Sequence, residues 1–368
     1  MQVKSVIVPS ARSGNCAVED GVTSAVRAGL SSLPKRLPPW LFYDEAGSLL
    51  FEAITELPEY YLTRTERGIL AASSSEILER AAEGRRLRIA ELGAGSADKT
   101  RLLLKAAVDR QGTVIYEPVD VSASALEAAR ERIEREIDGV TVVPRVMDYT
   151  RGLELEPFQD CCDVGGELSH PSLKNRDAAK MGHPDAHVDI EAALEGGEER
   201  RLVLYIGSSI GNFDPHEAAG LLKCVREALR AGDCLLLGVD LVKDESTLLA
   251  AYDDAAGVTA AFNRNLLVRL NRELGAEFDL GTFAHRAVWN AGESRMEMHL
   301  ESLCAQRVRM GEMGLSVEFG CGESIHTENS YKYLRGQAEG MLAEAGFAAA
   351  GSWTDERGWF GVCLGRAL

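Results

Sequence analysis

Arg88-Ile89-Ala90-Glu91-Leu92-Gly93-Ala94-Gly95-Ser96-Ala97-Asp98-Lys99-Thr100 is the stretch that decides the fold. A short apolar run enters a glycine turn, and the turn opens a helix through Arg101-Leu102-Leu103-Leu104. The glycines let the backbone approach a ligand closely, and the helix start offers free N–H groups. Glu91, just before the turn, faces a ligand with cationic or hydroxyl groups more comfortably than a pyrophosphate.

The same rhythm recurs outward from this unit. Thr113–Asp120 reads as a second strand ending on an acid, followed by a helix capped at Ser122 or Ser124 with its apolar stripe on Leu126, Ala129, Ile133 and Ile137. Val140–Val146 reads as a third strand, running into Asp148 and Tyr149. Arg201–Gly207 and Cys234–Leu241 are apolar on both faces, with a helix over 215–230 between them. Doubly apolar strands alternating with helices predict a parallel sheet covered on both sides. A helix is expected over 66–83, a pair over 246–256 and 258–274, hairpins over 283–319, a loop over 322–332, a helix over 333–345 and two closing antiparallel strands. The opening residues up to about 35 are expected to be loosely held. Residues 151–199, rich in Asp, Glu, His, Gly and Pro, read as a mobile excursion.

The chain has 368 residues, 45% hydrophobic and 26% charged, enough for two domains. Its net charge of −17 disfavours a nucleic-acid binder or an anionic membrane partner. The start carries no apolar run of signal-peptide type, and no window approaches the roughly 18 apolar residues of a membrane span. Eight scattered cysteines without a CxxC pair read as reduced thiols, so a cytoplasmic enzyme, expected as a monomer, is the reading. No metal site is expected: Pro184 separates His183 from His187, and Cys161 and Cys162 are adjacent.

Open α/β sheets bind ligands at the carboxyl ends of their strands, where strand order reverses. Asp120 lies 27 residues past Gly93, where an acid can accept both hydroxyls of a ribose. That fits NAD and S-adenosylmethionine alike. The turn reads G-A-G-S-A-D, with Asp98 in place of the third glycine of a dinucleotide fingerprint, and a pyrophosphate would meet Glu91 and Asp98. S-adenosylmethionine has a ribose, an adenine, an amino-acid tail and a sulfonium, and no phosphate. Lys99 could serve its carboxylate or be solvated, and Asp148 could accept from its adenine amino group. A nicotinamide dehydrogenase is disfavoured.

Several longer stretches carry a more specific resemblance: YDEAGSLLFEAITELPEYYLTRTE, ELGAGSADKTRLLL, PVDVS, GSSIGNF, GDCLLLGVDLVKD, AYDDAAGVTAAFNRNLLVRLNRELGAEFD and HTENSYKY. Through these the chain resembles the L-histidine Nα-methyltransferases of ergothioneine biosynthesis. The resemblance implies a Rossmann-like class I methyltransferase domain over 65–241 plus 332–368. A second α+β substrate-binding domain, over 12–64 plus 242–331, would be built from the N-terminal segment and an insertion. It implies trimethylation of the α-amino group of L-histidine to hercynine with S-adenosylmethionine.

The family's cofactor groups match Gly93, Lys99, Asp120, Asp148 and Tyr149, with Gly207 beside them and close to the reacting amine. Its amino-acid groups match Tyr60, Asn212, Tyr252, Glu328 and Ser330, with Met298 and Asn329 adjoining. Tyr60 and Tyr43 would surround the amine and position it, without a firm general base. Asn212 and Tyr252 can donate to a carboxylate, and Glu328 with Ser330 can read both nitrogens of an imidazole. The alternatives are an Nα-methyltransferase for another amino acid such as tryptophan, or a catalytically silent S-adenosylmethionine-binding regulator. The 151–199 excursion, longer than relatives need, is expected to be a lineage-specific loop or a regulatory contact.

Overall fold

The computed structural model of the chain describes residues 15–95, 97–150, 152–153, 155 and 199–368. Ser96 and most of the 151–199 excursion, with Cys161, Cys162, His183 and His187, lie outside the described residues. The opening departs from expectation. Helix α1 (Asn15–Ser31) places Val22, Val26 and Leu30 four residues apart on one buried face, and β1 (Lys35–Arg36) follows. Helix α2 (Glu45–Thr55) is capped by Asp44, whose carboxylate accepts from the Gly47 N–H at 2.7 Å. Helix α3 (Tyr61–Ala82) begins at Tyr61 rather than at 66, so Tyr60 becomes its N-cap residue.

The glycine-turn unit folds as read. Strand β2 (Leu87–Leu92) leads through the turn to α4 (Thr100–Gln111), then β3 (Val114–Asp120) and α5 (Ala123–Glu136), with Ser122 as the cap. The expected third strand is split into β4 (Val140–Val142) and β5 (Arg145–Val146). Pro144, without an N–H to donate, sits in the break. Strand β6 (Arg200–Tyr205), α6 (Pro215–Glu227) and β7 (Cys234–Asp240) complete the parallel run. A reciprocal capping box of Asp214 and Glu217 starts α6.

The chain then leaves this sheet for α7 (Glu245–Tyr252), α8 (Val258–Leu274) and the strands β8 (Phe283–Asn290), β9 (Arg295–Ser302), β10 (Gln306–Met310) and β11 (Leu315–Phe319). The segment expected as a loop is strand β12 (Ser324–Tyr331), which lies between β1 and β9 in a sheet ordered β1-β12-β9-β8. Its polar residues hide the apolar alternation that marks an ordinary strand. A register shift at Thr327 pairs His326 with His299 and then Glu328 with Met298. This bulge turns Glu328 and Ser330 to the face that carries Met296 and Met298. Val22, Leu41, Phe42, Leu62, Phe262, Met298 and Ile325 share one apolar core, so the N-terminal segment packs with these later elements.

Helix α9 (Gln337–Glu344), β13 (Phe347–Thr354) and β14 (Phe360–Ala367) return the chain to the first sheet. Its order is β13-β14-β7-β6-β2-β3-β4, with β5 also on β3 and β14 antiparallel to both its neighbours. The order reverses between β2 and β6, which opens the ligand crevice at their carboxyl ends. Among the described residues no helix is long and apolar enough to cross a membrane.

The two sheets meet at Asp240, the last residue of β7, which has no exposed side-chain surface. Tyr61 Oη donates to its carboxylate at 2.7 Å, and the ammonium groups of Lys243 and Lys332 lie 2.6 and 2.8 Å away. Asp240→Ala strands two buried cations, a loss on the order of 3–5 kcal/mol. Urea unfolding is expected to show this drop, and Asp240→Asn, which keeps the hydrogen-bonding shape, is expected to lose less.

Candidate active site

The cofactor end is built on the switch point. Gly93 has φ +67, and a Cβ there would come 3.2 Å from Tyr149 Oη. Gly207, at the end of β6, has φ +85, and its Cβ would come 3.0 Å from Lys99 Nζ. Both positions need glycine for conformation and for room. Asp120 ends β3, where its carboxylate accepts from the Ser122 N–H at 3.0 Å and the Gly95 N–H at 3.4 Å. Asp148 accepts from the Thr150 N–H at 3.1 Å. The ring of Tyr149 stands edge-on to Tyr205 at 5.9 Å, and burial pushes its phenol up to about 12.

Three sequence expectations need correction here. Glu91 does not face a ligand: it is buried, and it accepts from Thr100 Oγ1 at 2.7 Å and from the Tyr116 hydroxyl. It ties the start of α4 to β2 and β3, and burial pushes it up to about 7. Asp98 is turned to the surface, paired with Arg67 at 3.1 Å and Arg101 at 3.3 Å. Nor is Lys99 solvated. Its ammonium is paired with Glu66, a fully buried residue of α3 that also accepts the Gly207 N–H at 2.8 Å. The cation of this turn is already neutralised, and the acids at the strand ends are Asp120 and Asp148. That donor set fits a nucleoside cofactor without phosphate.

A second cavity opens beside Gly207 and brings together groups from distant parts of the chain. Tyr43 stands just before the cap of α2, and Tyr60 is the N-cap residue of α3. Asn212 comes from the loop after β6, Tyr252 from the end of α7, Met298 from β9, and Glu328 and Ser330 from β12. Tyr252 Oη donates to Ser330 Oγ at 2.7 Å. Phe51 and Phe262 fill out the wall: the Tyr43 ring lies 5.9 Å from Phe51 and 6.1 Å from Phe262, edge-on to each.

Asn329 does not join the others. Strand alternation puts it on the opposite face, paired in register with Glu297. That face carries Glu297, His299 and His326, which among the described residues form a group of acid and imidazole side chains within metal-binding reach of one another. The Glu297 carboxylate there is taken by the Arg295 guanidinium at 2.7 Å and by Asn290 at 2.9 Å.

Burial sets the electrostatics of the cavity. Glu328 is pushed up to about 7 by burial, against the pull of the Lys332 ammonium. The phenols of Tyr60 and Tyr252 are pushed well above their ordinary range, first by burial and then by neighbouring acidic groups. Neither forms a phenolate near neutral pH. Sequence reasoning missed Glu66, Asp240 and Lys332. Glu66 had a signal, since it stands four residues from both Leu62 and Leu70 on the buried face of α3.

A parallel sheet with this order reversal and with β14 inserted antiparallel between β7 and β13, a glycine turn after the first strand of the run and an acid after the second, is the fold of the class I methyltransferases. The chain belongs to the histidine-specific, SAM-dependent methyltransferase family, whose model matches residues 22–165 and 179–367. It is 42% identical over 339 residues to the histidine N-alpha-methyltransferase of Mycolicibacterium smegmatis, covering 92% of both chains. The histidine N-alpha-methyltransferase of Mycobacterium tuberculosis is 42% identical over 340 residues, again with 92% of both chains covered. Ergothioneine biosynthesis protein 1 of Neurospora crassa is 30% identical over 326 residues, which are 87% of this chain and 32% of that one. S-adenosylmethionine is therefore the cofactor.

Gly93→Ala combines a positive φ with a contact on Tyr149. The expected result is a loss of cofactor affinity of about tenfold or more, which is about 1.4 kcal/mol. Calorimetric titration with S-adenosylmethionine measures it, with thermal melting as the check on folding.

Proposed function

We propose that this enzyme transfers methyl groups from S-adenosylmethionine to the α-amino group of L-histidine, three in succession, giving hercynine, the first step of ergothioneine biosynthesis. The observation that carries the reading is the placement of Glu328 and Ser330 on one face of β12 above Met298, in the same cavity as Tyr60 and Asn212. A carboxylate and a hydroxyl two residues apart on a strand match the two nitrogens of an imidazole. The division of labour follows: the first sheet holds the cofactor, through Gly93, Asp120, Asp148 and Tyr149, and the second sheet holds the amino acid.

The bound cofactor supplies a methyl group on a sulfonium, already a strong electrophile. The protein's task is to hold a neutral amine in line at near-attack distance, which is a matter of positioning. Tyr60 and Tyr43 stand where the amine enters the crevice beside Gly207, and Tyr60 stays a neutral phenol. It therefore orients the amine through hydrogen bonds and does not take its proton as a phenolate. Successive transfers require the nitrogen to rotate while the carboxylate and the ring stay clamped by Asn212, Glu328 and Ser330. An indole would leave the Ser330 hydroxyl without a ring acceptor, so tryptophan fits this polar floor less well than histidine.

Incubation with histidine and S-adenosylmethionine is expected to yield, by mass spectrometry, a product heavier by three methylene units. Mass gain on another amino acid and none on histidine overturns the reading. Glu328 accepts an imidazole N–H far more strongly when ionised, and its pKa is raised to about 7. Through this group the kcat/KM for histidine is thus expected to fall as the pH drops through that value. Glu328→Ala should cost about tenfold to a hundredfold in kcat/KM for histidine and relax selectivity toward aromatic amino acids. Competition assays with phenylalanine and tryptophan measure that change.

A further inference from the structure

We propose that Lys332 is a positioning residue for the amino-acid substrate: it holds the Tyr252 and Ser330 hydroxyls so that the pair presents a single hydroxyl proton to the bound ligand. The inference rests on the histidine reading and deepens it. Lys332 follows β12, and its side chain has no exposed surface. Its Nζ lies 2.8 Å from Tyr252 Oη, 2.9 Å from Ser330 Oγ and 2.8 Å from the Asp240 carboxylate. An ammonium has three N–H donors and no acceptor, so each of these contacts uses one. Both hydroxyl oxygens therefore accept from Lys332.

Tyr252 Oη and Ser330 Oγ are also bonded to each other at 2.7 Å. One of their two protons is spent there, and one remains for the cavity. The two hydroxyls thus cannot both donate to a substrate, as the separate roles expected from the sequence would require. With Tyr252 donating to Ser330, the Ser330 oxygen is filled by two incoming bonds and its own proton points outward. That proton meets the lone pair of one ring nitrogen, while Glu328 accepts the N–H of the other. The ring bound in this way is a neutral imidazole.

Lys332 also acts as the near cation of Glu328. The other titratable groups facing Glu328 are the phenols of Tyr43, Tyr60 and Tyr252, from three other parts of the chain, with Asp240 behind Lys332. Removing the ammonium leaves the carboxylate without that counter-charge. Asp240 itself stays paired, because Lys243 and Tyr61 remain on it.

The test compares Lys332→Met with Lys332→Gln. Met removes charge and donors; the amide of Gln keeps two donors without the charge. Lys332→Met is expected to raise the KM for histidine about tenfold or more, with cofactor Kd within about twofold, and to move the acid limb of kcat/KM to higher pH. Lys332→Gln is expected to restore most of the KM and to keep the displaced limb. An unchanged KM and limb in Lys332→Met overturns the proposal, as do equal losses for cofactor and histidine. Tyr252→Phe, Ser330→Ala and their double variant test the shared proton while keeping the Lys332 ammonium on Asp240. The double variant should lose no more than the worse single one, and additive losses overturn the proposal. Absence of histidine methylation in the unaltered enzyme would instead defeat the functional reading on which the proposal rests.

Discussion

Everything in the active cleft depends on one buried carboxylate meeting two buried ammoniums. Asp240 holds Lys243, Lys332 and the phenol of Tyr61 without any of its side chain in contact with solvent. Charges in such a place are costly unless each is paired and hydrogen-bonded. Here the partners come from the end of β12, the start of α3 and the segment after β7, and the Asp240 N–H is bonded to Ser208 Oγ after β6. The two sheets cannot slide past one another without breaking this set. A second buried carboxylate works a few residues along α3: Glu66 holds Lys99 and the Gly207 N–H together. Between Tyr61 and Glu66 the first turns of α3 are pinned at two points, which fixes Tyr60 at the mouth of the crevice.

The parallel sheet was legible in the sequence because its strands bury both faces and read as plain apolar runs between helices. Asp120 and Asp148 were legible for the same reason, since the strand ends place them. Strand β12 was not legible. It is a strand whose functional face is polar, and Glu328, Asn329 and Ser330 read as a loop when no core face shows through. The bulge at Thr327 is equally invisible, yet it decides which of these three residues looks into the cavity. The resemblance to a family supplied the neighbourhood but not the alternation, so Asn329 was included with its neighbours.

Charged residues misled in both directions. Glu91 and Asp98 read as acids of the cofactor loop; one is a buried tie to Thr100 and Tyr116, the other a surface partner of Arg67 and Arg101. Glu66 and Lys332 were given no role from the sequence, and both are buried supports of groups in the candidate site. A single sequence gives each charge the same solvated expectation. Only the distant partners, Lys99 for the one and Asp240 for the other, reveal which charges are enclosed.

The enclosed charges also explain how a cavity can hold its substrate through repeated reaction. In the proposed arrangement the ring end of the cavity is rigid: the hydroxyls of Ser330 on β12 and Tyr252 at the end of α7 are held by Lys332. The amine end is bounded by Tyr43, Phe51, Tyr60 and Phe262, with ring centroids 5.9–6.3 Å apart and no fixed ion among them. Tyr43 is 43% exposed, at the mouth. An amine gaining methyl groups becomes bulkier and ends as a permanent cation that cannot accept a hydrogen bond. Aromatic faces tolerate that change, because their attraction to a cation needs no N–H and no particular rotation. The proposed trimethylation therefore calls for a specific grip where the molecule stays the same and an unspecific one where it changes. The polar strand face and the aromatic wall divide the cavity along that line.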